Sequence, residues 1–396
     1  MRLKAAQKIK QLKKIKICLV SSIPATLWSF YRKLPEKLIK EGFEIEICSS
    51  KGKELNYFRQ QYGLTTHQVE IRRQISPLHD IVTIFQLIKI FKKQNFDIIH
   101  SHTPKAGLLC MIAAKITKTK SLIYTCHGLP LQTETGIKRL LLKYSEKLTC
   151  TLAHQVIVVG TSLKEKIIKY EICPAKKLYI LCDGSACGVD LERFTTTEEL
   201  RQKSKAIRAQ NNIRSEDTII GYIGRLVPDK GIEMLVESFT NLHAKNENIK
   251  LLIIGDLEPH RGKLSETTIK CLKEHPAIKH LNFITEIEPY YCAMDILVLP
   301  TKREGFPYTP LEAAAMGIPV IATKVTGCID VIVDGQTGIL VGPDDTIALS
   351  EAIEKLIASP QLRHQIGDAA RLLVEEKFTS KRLLDAHVKL YRRMLR

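Results

Sequence analysis

The chain has 396 residues, 44% of them hydrophobic, 26% charged and 6% aromatic, proportions that exclude collagen-like and disordered classes and leave room for two cores of roughly 200 residues each. Its longest apolar run, Ala313 to Ala322, already contains Gly317 and Pro319, whereas a membrane-spanning helix needs about 20 such residues. The net charge of +18 is uneven: residues 1–200 carry 33 Lys and Arg against 17 Asp and Glu, and residues 201–396 carry 27 against 25.

Seven of the first 16 residues are basic, and Leu3, Ile9, Leu12 and Ile15 punctuate them. That pattern reads either as a basic amphipathic helix lying on an anionic membrane or as a solvated tail. Strand-like runs follow at Ile15–Ser21, Phe43–Cys48, Phe96–Ser101, Leu122–Cys126 and Gln155–Val159, with helix-period stretches at Leu27–Lys40, Ile81–Lys93 and Gly107–Ile116. The pattern restarts with Thr218–Gly224, Lys250–Gly255, Asn282–Thr285, Ile296–Pro300 and Pro319–Ala322. Between the halves, Phe194 to Asp217 is polar and charged and reads as a linker. Such alternation implies parallel sheets with right-handed crossovers. The expected architecture is α/β: two doubly wound, Rossmann-like domains facing across a cleft, over residues 1–200 and 201–375, with 376–396 as a closing basic helix. Eleven cysteines are scattered without a CxxC, and with no secretory signal the chain reads as reduced and cytosolic. Few aromatics interleave with the charges of the first half and no binding motif is visible, so nucleic acid is not an expected partner.

In doubly wound sheets ligands sit beyond the carboxyl ends of the strands, so the residues at those exits carry the chemistry. After the strand ending at Gly224 come Arg225 and Lys230, two cations suited to neutralising a diphosphate leaving group, or else two surface cations beside Asp229. Neither a P-loop nor a GxGxxG grips the anion here. After Leu299 the run Pro300-Thr-Lys-Arg-Glu-Gly-Phe-Pro-Tyr-Thr-Pro-Leu-Glu312 leads into a helix. Thr309 as N-cap, Pro310 and Glu312 fit a capping box, a structural role for Glu312. Glu304, before Gly305, stands where a carboxylate can bond sugar hydroxyls.

These residues, Arg225 and Lys230 followed by Glu304-x7-Glu312, resemble the retaining, GT-B-fold glycosyltransferases of family 4. His102-Thr-Pro-Lys-Ala-Gly107, Tyr124-Thr-Cys-His-Gly-Leu-Pro130 and Gly188-Val-Asp-Leu-Glu-Arg-Phe194 are similar to the bacterial branch that builds capsules, O-antigens and lipid-linked oligosaccharides. The resemblance implies that Arg225 and Lys230 bind the donor diphosphate, Glu312 the ribose and Glu304 the donor sugar. His127 would lie near the anomeric carbon, where residue type alone reads as a satisfied core histidine. Gly305, Phe306, Tyr308 and Thr309 would complete the donor loop. Asp330–Gly338 resembles the segment whose turn borders the donor, with Ile329 where relatives often have a basic residue. His102, Lys105 and Trp28 are the acceptor-side candidates, each with a plain structural alternative. The family needs no metal and no cofactor, and no Asp-x-Asp occurs in this chain.

The expected activity is therefore transfer of a sugar, an N-acetylhexosamine by resemblance, from a UDP-sugar to a polyprenyl-diphosphate-linked acceptor, with retained configuration. The basic first half suits an enzyme peripheral on the cytoplasmic face of an anionic membrane. A sugar-nucleotide epimerase on the same plan, or a catalytically silent scaffold in a polysaccharide-assembly complex, are the alternatives.

Overall fold

The computed structural model describes residues 14–395. Most of the basic amino-terminal segment falls outside the described residues. The first domain runs β1 (Lys16–Ser21), α1 (Pro24–Tyr31), α2 (Leu34–Lys40), β2 (Glu44–Ser49), α3 (Glu54–Tyr62), β3 (Thr65–Gln68), α4 (Pro77–Gln94), β4 (Ile98–His102), α5 (Pro104–Ile116), β5 (Ser121–Cys126), α6 (Gly136–Leu152), β6 (Gln155–Val158), α7 (Thr161–Lys169) and β7 (Leu178–Tyr179). The second runs α8 (Glu198–Gln210), β8 (Thr218–Ile223), α9 (Ile232–His243), β9 (Ile249–Ile254), α10 (Glu266–Glu274), β10 (Ile278–Leu281), α11 (Glu288–Ala293), β11 (Ile296–Leu299), α12 (Thr309–Ala315), β12 (Val320–Thr323), α13 (Cys328–Val331), β13 (Ile339–Val341), α14 (Thr346–Ala358) and α15 (Pro360–Lys377). The last helix, α16 (Ser380–Arg393), returns to pack against α2.

Both sheets are parallel, in the orders β3-β2-β1-β4-β5-β6-β7 and β10-β9-β8-β11-β12-β13. Strands covered by helices on both faces read as continuous apolar runs, and the Ile17–Val20 and Leu251–Ile254 stretches are buried throughout. Each sheet reverses direction between its first and fourth strands, and that switch point opens the crevice where ligands bind. Arg225 and Lys230 follow β8, and Glu304 follows β11, so the cation loop and the glutamate loop leave neighbouring strands.

Four expectations change. The stretch Leu27–Lys40 is two helices, because Pro35 cannot donate to the carbonyl one turn back. Asn282–Thr285 is a loop rather than a strand. The strand lies just before it, where Lys279 and His280 dilute the apolar pattern of Ile278–Leu281. The span Phe194–Asp217 is no open linker: it holds α8, capped by the Thr197 hydroxyl accepting from the Leu200 N–H at 3.2 Å, and α8 packs on α11. The capping box at α12 does not form. Thr309 is the first helical residue, no side chain caps the helix, and the Glu312 carboxylate turns instead to the Tyr291 hydroxyl at 2.8 Å.

Candidate active site

The crevice holds a cavity of about 520 Å³. Trp28, Phe30, Arg32 and Lys33 line it from the first domain, and Arg225, Glu258, Phe283, Tyr308 and Glu312 from the second. The cation loop is built tightly. Gly231 takes φ +70°, and a Cβ there would lie 1.8 Å from the Pro300 carbonyl oxygen, so the loop is pressed against the exit of β11. The Asp229 carbonyl accepts from Lys302 N at 2.9 Å and from the Thr301 hydroxyl at 3.2 Å, fastening the two loops together. Lys230 Nζ is thereby delivered onto Glu304 Oε1, in an ion pair largely sheltered from water. Arg225 Nη1 donates to Glu258 Oε2 at 3.2 Å, and Arg261 Nε reaches the same oxygen at 2.7 Å.

Glu312 is partly buried, and burial pushes its carboxyl upward against the opposing pull of its Tyr291 hydrogen bond and of Arg193 and Arg32. Arg193 lines the same cavity, paired with Glu288 and donating to the Thr285 carbonyl at 3.1 Å. The Tyr308 hydroxyl accepts from the backbone N–H of Ala186 at 2.8 Å, which ties the loop after β11 to the first domain.

His127 stacks on Phe30, ring centroids 5.2 Å apart, and Phe30 in turn meets Tyr308 at 5.1 Å. Burial lowers the His127 imidazole to about 4, so at neutral pH it is uncharged and offers one donor and one acceptor nitrogen. Directly beside it the two domains touch through their backbones: a Cβ on Gly305 would stand 1.8 Å from the His127 carbonyl oxygen. Only glycine allows that approach.

Among the acceptor-side candidates, Trp28 lines the cavity, with the Arg32 guanidinium 5.5 Å from its ring centroid. His102 and Lys105 do not face it. His102 is fully buried against Tyr31, His100 and His127, and Lys105 is paired with Asp80. Asp330 also has another task. Its carboxylate accepts from the Ser162 N–H at 3.0 Å and from the Ser162 hydroxyl at 2.5 Å, at the first turn of α7, latching the second domain to the first. Phe30, Arg32, Arg193, Glu258 and Tyr291 went unselected in the sequence. Glu258 was findable, since it follows the exit of β9, whereas Tyr291 sits in α11 with no spacing that marks it.

Among the described residues no helix is long and apolar enough to cross a membrane, and no group of three or more His, Cys, Asp or Glu is placed to hold a metal ion.

Comparison with known proteins fits this geometry. The family descriptions "Glycosyltransferase Family 4" and "Glycosyl transferases group 1" match residues 30–193 and 203–373. The chain is 36% identical over 361 residues to the capsular polysaccharide biosynthesis glycosyltransferase CapM of Staphylococcus aureus, covering 91% of this chain and 93% of that one. It is 26% identical over 329 residues to the Escherichia coli UDP-Gal:alpha-D-GlcNAc-diphosphoundecaprenol alpha-1,3-galactosyltransferase, covering 81% and 82%. The crystal structure of Anabaena Alr3699/HepE in complex with UDP superposes with a TM-score of 0.79 at 18% identity, over 96% of this chain and 100% of that one. With two facing parallel sheets, cations and glutamates on adjacent strand exits, and both family descriptions spanning them, the chain belongs to the family 4 glycosyltransferases of GT-B fold and is a glycosyltransferase.

Proposed function

We propose that the enzyme moves a sugar, an N-acetylhexosamine, from a UDP-sugar to a hydroxyl of a polyprenyl-diphosphate-linked acceptor in the assembly of a bacterial surface polysaccharide, with the anomeric configuration retained. The observation that carries the reading is the fastening of the loops after β8 and β11, which pairs Lys230 with Glu304 next to an interdomain cavity that Arg225 and Glu312 line opposite Trp28 and Arg32. The names of relatives that act on capsular polysaccharide or on a diphosphoundecaprenol-linked sugar, and of a neighbour in complex with UDP, support the substrate classes.

In this mechanism Glu312 holds the ribose hydroxyls and Arg225 with Lys230 binds the diphosphate. Glu304 and the neutral His127 orient the sugar. The bond between the anomeric carbon and the β-phosphate oxygen breaks as the acceptor oxygen bonds the same face of that carbon, and the acceptor proton passes to the departing phosphate. The two cations meet the charge that grows on that phosphate, which is where fixed electrostatics lower a barrier most. Closure of the crevice excludes water and limits donor hydrolysis.

Calorimetric titration of UDP against the wild type and Lys230→Ala tests the reading. Loss of a charge-assisted contact of about 2 kcal/mol weakens UDP binding about 30-fold. Equal affinity in the two proteins would remove Lys230 from the donor site, and a product still bearing UDP would convert the assignment to an epimerase.

A further inference from the structure

Half of the twenty large apolar side chains that stand exposed among the described residues are gathered on, or just before, two helices of the first domain. On α4, Leu78, Ile81, Val82 and Phe85 recur at intervals of three and four residues. On α6, Ile137, Leu140, Leu141, Tyr144 and Leu148 keep the same helical period. That spacing marks a face a soluble helix ordinarily buries, yet Leu78 is 83% exposed, Ile137 78% and Phe85 67%. The side of α6 that faces the core is mixed, with Glu146, Thr149 and Cys150 buried and Leu142 and Leu152 packed half-buried against the core.

The two rows belong to one surface. Both helices pack against α5, which keeps most of its own residues buried, so the rows flank it. The crossovers from β3 to β4, β4 to β5 and β5 to β6 all step the same way, which puts α4, α5 and α6 on a single face of the sheet. In parallel α/β units the helices begin at the carboxyl edge of the strands, so both rows start at the edge where the cavity opens.

Their charge is one-sided. Lys89, Lys92 and Lys93 are exposed on α4, and Lys138, Arg139 and Lys147 on α6. Each helix carries one acid: Asp80 is taken up by Lys105, and Glu146 is buried under the Tyr124 hydroxyl at 2.8 Å. Lys138 is paired with Glu134 just before α6, at 2.6 Å, and the other exposed cations fringe the apolar rows. Such a face complements a surface that is apolar beneath and anionic above.

We propose that the face formed by α4 and α6 is where the enzyme lies on an anionic lipid bilayer, its apolar rows at the acyl boundary and its lysines at the headgroup phosphates. The proposal takes its purpose from the lipid-linked acceptor read above, since the cleft then opens toward the leaflet that presents such a molecule.

The test is co-sedimentation of the full chain with vesicles of phosphatidylcholine alone and of phosphatidylcholine with phosphatidylglycerol. Wild type, the double variant Phe85→Ser with Leu141→Ser, and a tail variant carrying Lys8→Gln, Lys10→Gln and Lys13→Gln are compared, with UDP binding measured on each. Salt-sensitive binding to the anionic vesicles, reduced about tenfold or more in the double variant while UDP binding is kept, is the expected result. Unchanged vesicle binding by the double variant, or loss confined to the tail variant, overturns the proposal. So does a wild type that ignores vesicles but sediments as a dimer the double variant breaks, which would give the face to a second copy. Failure of UDP binding in the wild type would refute the donor reading and leave the vesicle result standing.

Discussion

At the scale of single residues, the constraint most specific to this site is the absence of a side chain at position 305. Gly305 lets the loop after β11 touch the His127 carbonyl, and a methyl group there must push the domains apart. Gly305→Ala is expected to keep UDP affinity within about threefold, because the nucleotide contacts proposed above lie on the second domain, while kcat/KM falls about 100-fold through misplacement of the reacting atoms. Steady-state kinetics beside calorimetry separates the two effects. His127, half-buried, adjoins a buried group of His100, His102, His387, Tyr31 and Tyr391. Burial holds His127 and His387 at about 4 and carries His100 and His102 well below their ordinary value. As pH falls below about 6.5 the unfolded chain protonates these rings and the folded one does not, so stability is lost progressively, down to about pH 4 for His127 and His387 and onward for the two deeper rings. Thermal melts at about pH 7.5 and about pH 5 should therefore show the lower Tm in acid, with a smaller difference in His387→Leu. An unchanged Tm would mean that the rings are protonated in the fold.

At the scale of elements, one contact between the domains is a latch at α13. Asp330 at α13 meets the first turn of α7, and Gly327 N donates to the Ser162 hydroxyl at 2.9 Å. A Cβ on Gly160 would stand 2.4 Å from the Asp330 carboxylate, so the latch closes tightly. Asp330→Ala leaves the Ser162 N–H without its acceptor and should lower Tm by about 2–4 °C. Scanning calorimetry would show it, and an unaltered Tm would mean that the latch is idle. The elements also show what was legible beforehand. Strands buried on both faces, such as Ile17–Val20, announce themselves, whereas edge strands such as Thr65–Gln68 and Ile278–Leu281 carry polar residues and pass for loops. Arg225, Lys230, Glu304 and Glu312 were selectable because each follows a strand exit, although of the four only Arg225 and Glu312 line the cavity itself. Arg32, Arg193 and Phe30 reach the same cavity from a helix end, an irregular segment and a helix interior, where no spacing signals the destination. Conversely, His102 and Lys105 sit at a strand exit as expected, yet their side chains are spent on the interior and on Asp80.

At the scale of the whole molecule, the first domain is not finished by its own stretch of sequence. Residues of α16 fill it: the Tyr391 hydroxyl lies 2.6 Å from His100 Nδ1, and the Ser121 hydroxyl donates to the Met394 carbonyl at 2.6 Å. Arg392 reaches Glu41 at 2.7 Å, and Lys37 reaches Asp385 at 2.8 Å. Tyr391 is fully buried, and truncating it to Ala should cost about 3–5 kcal/mol, read from urea denaturation of the full chain. An equal midpoint in the variant would mean that the slot closes without it.

This return of the chain also sets a timetable for synthesis. About 190 residues separate Asp190, near the end of the first domain, from the start of α16. At the usual pace of about 5–20 residues per second, a ribosome needs about 10–40 s to supply that interval. Throughout it, the nascent first domain presents an unfilled slot over His100 and the flank of α2. The enzyme's amino-terminal half is thus the first to be made and the last to be completed.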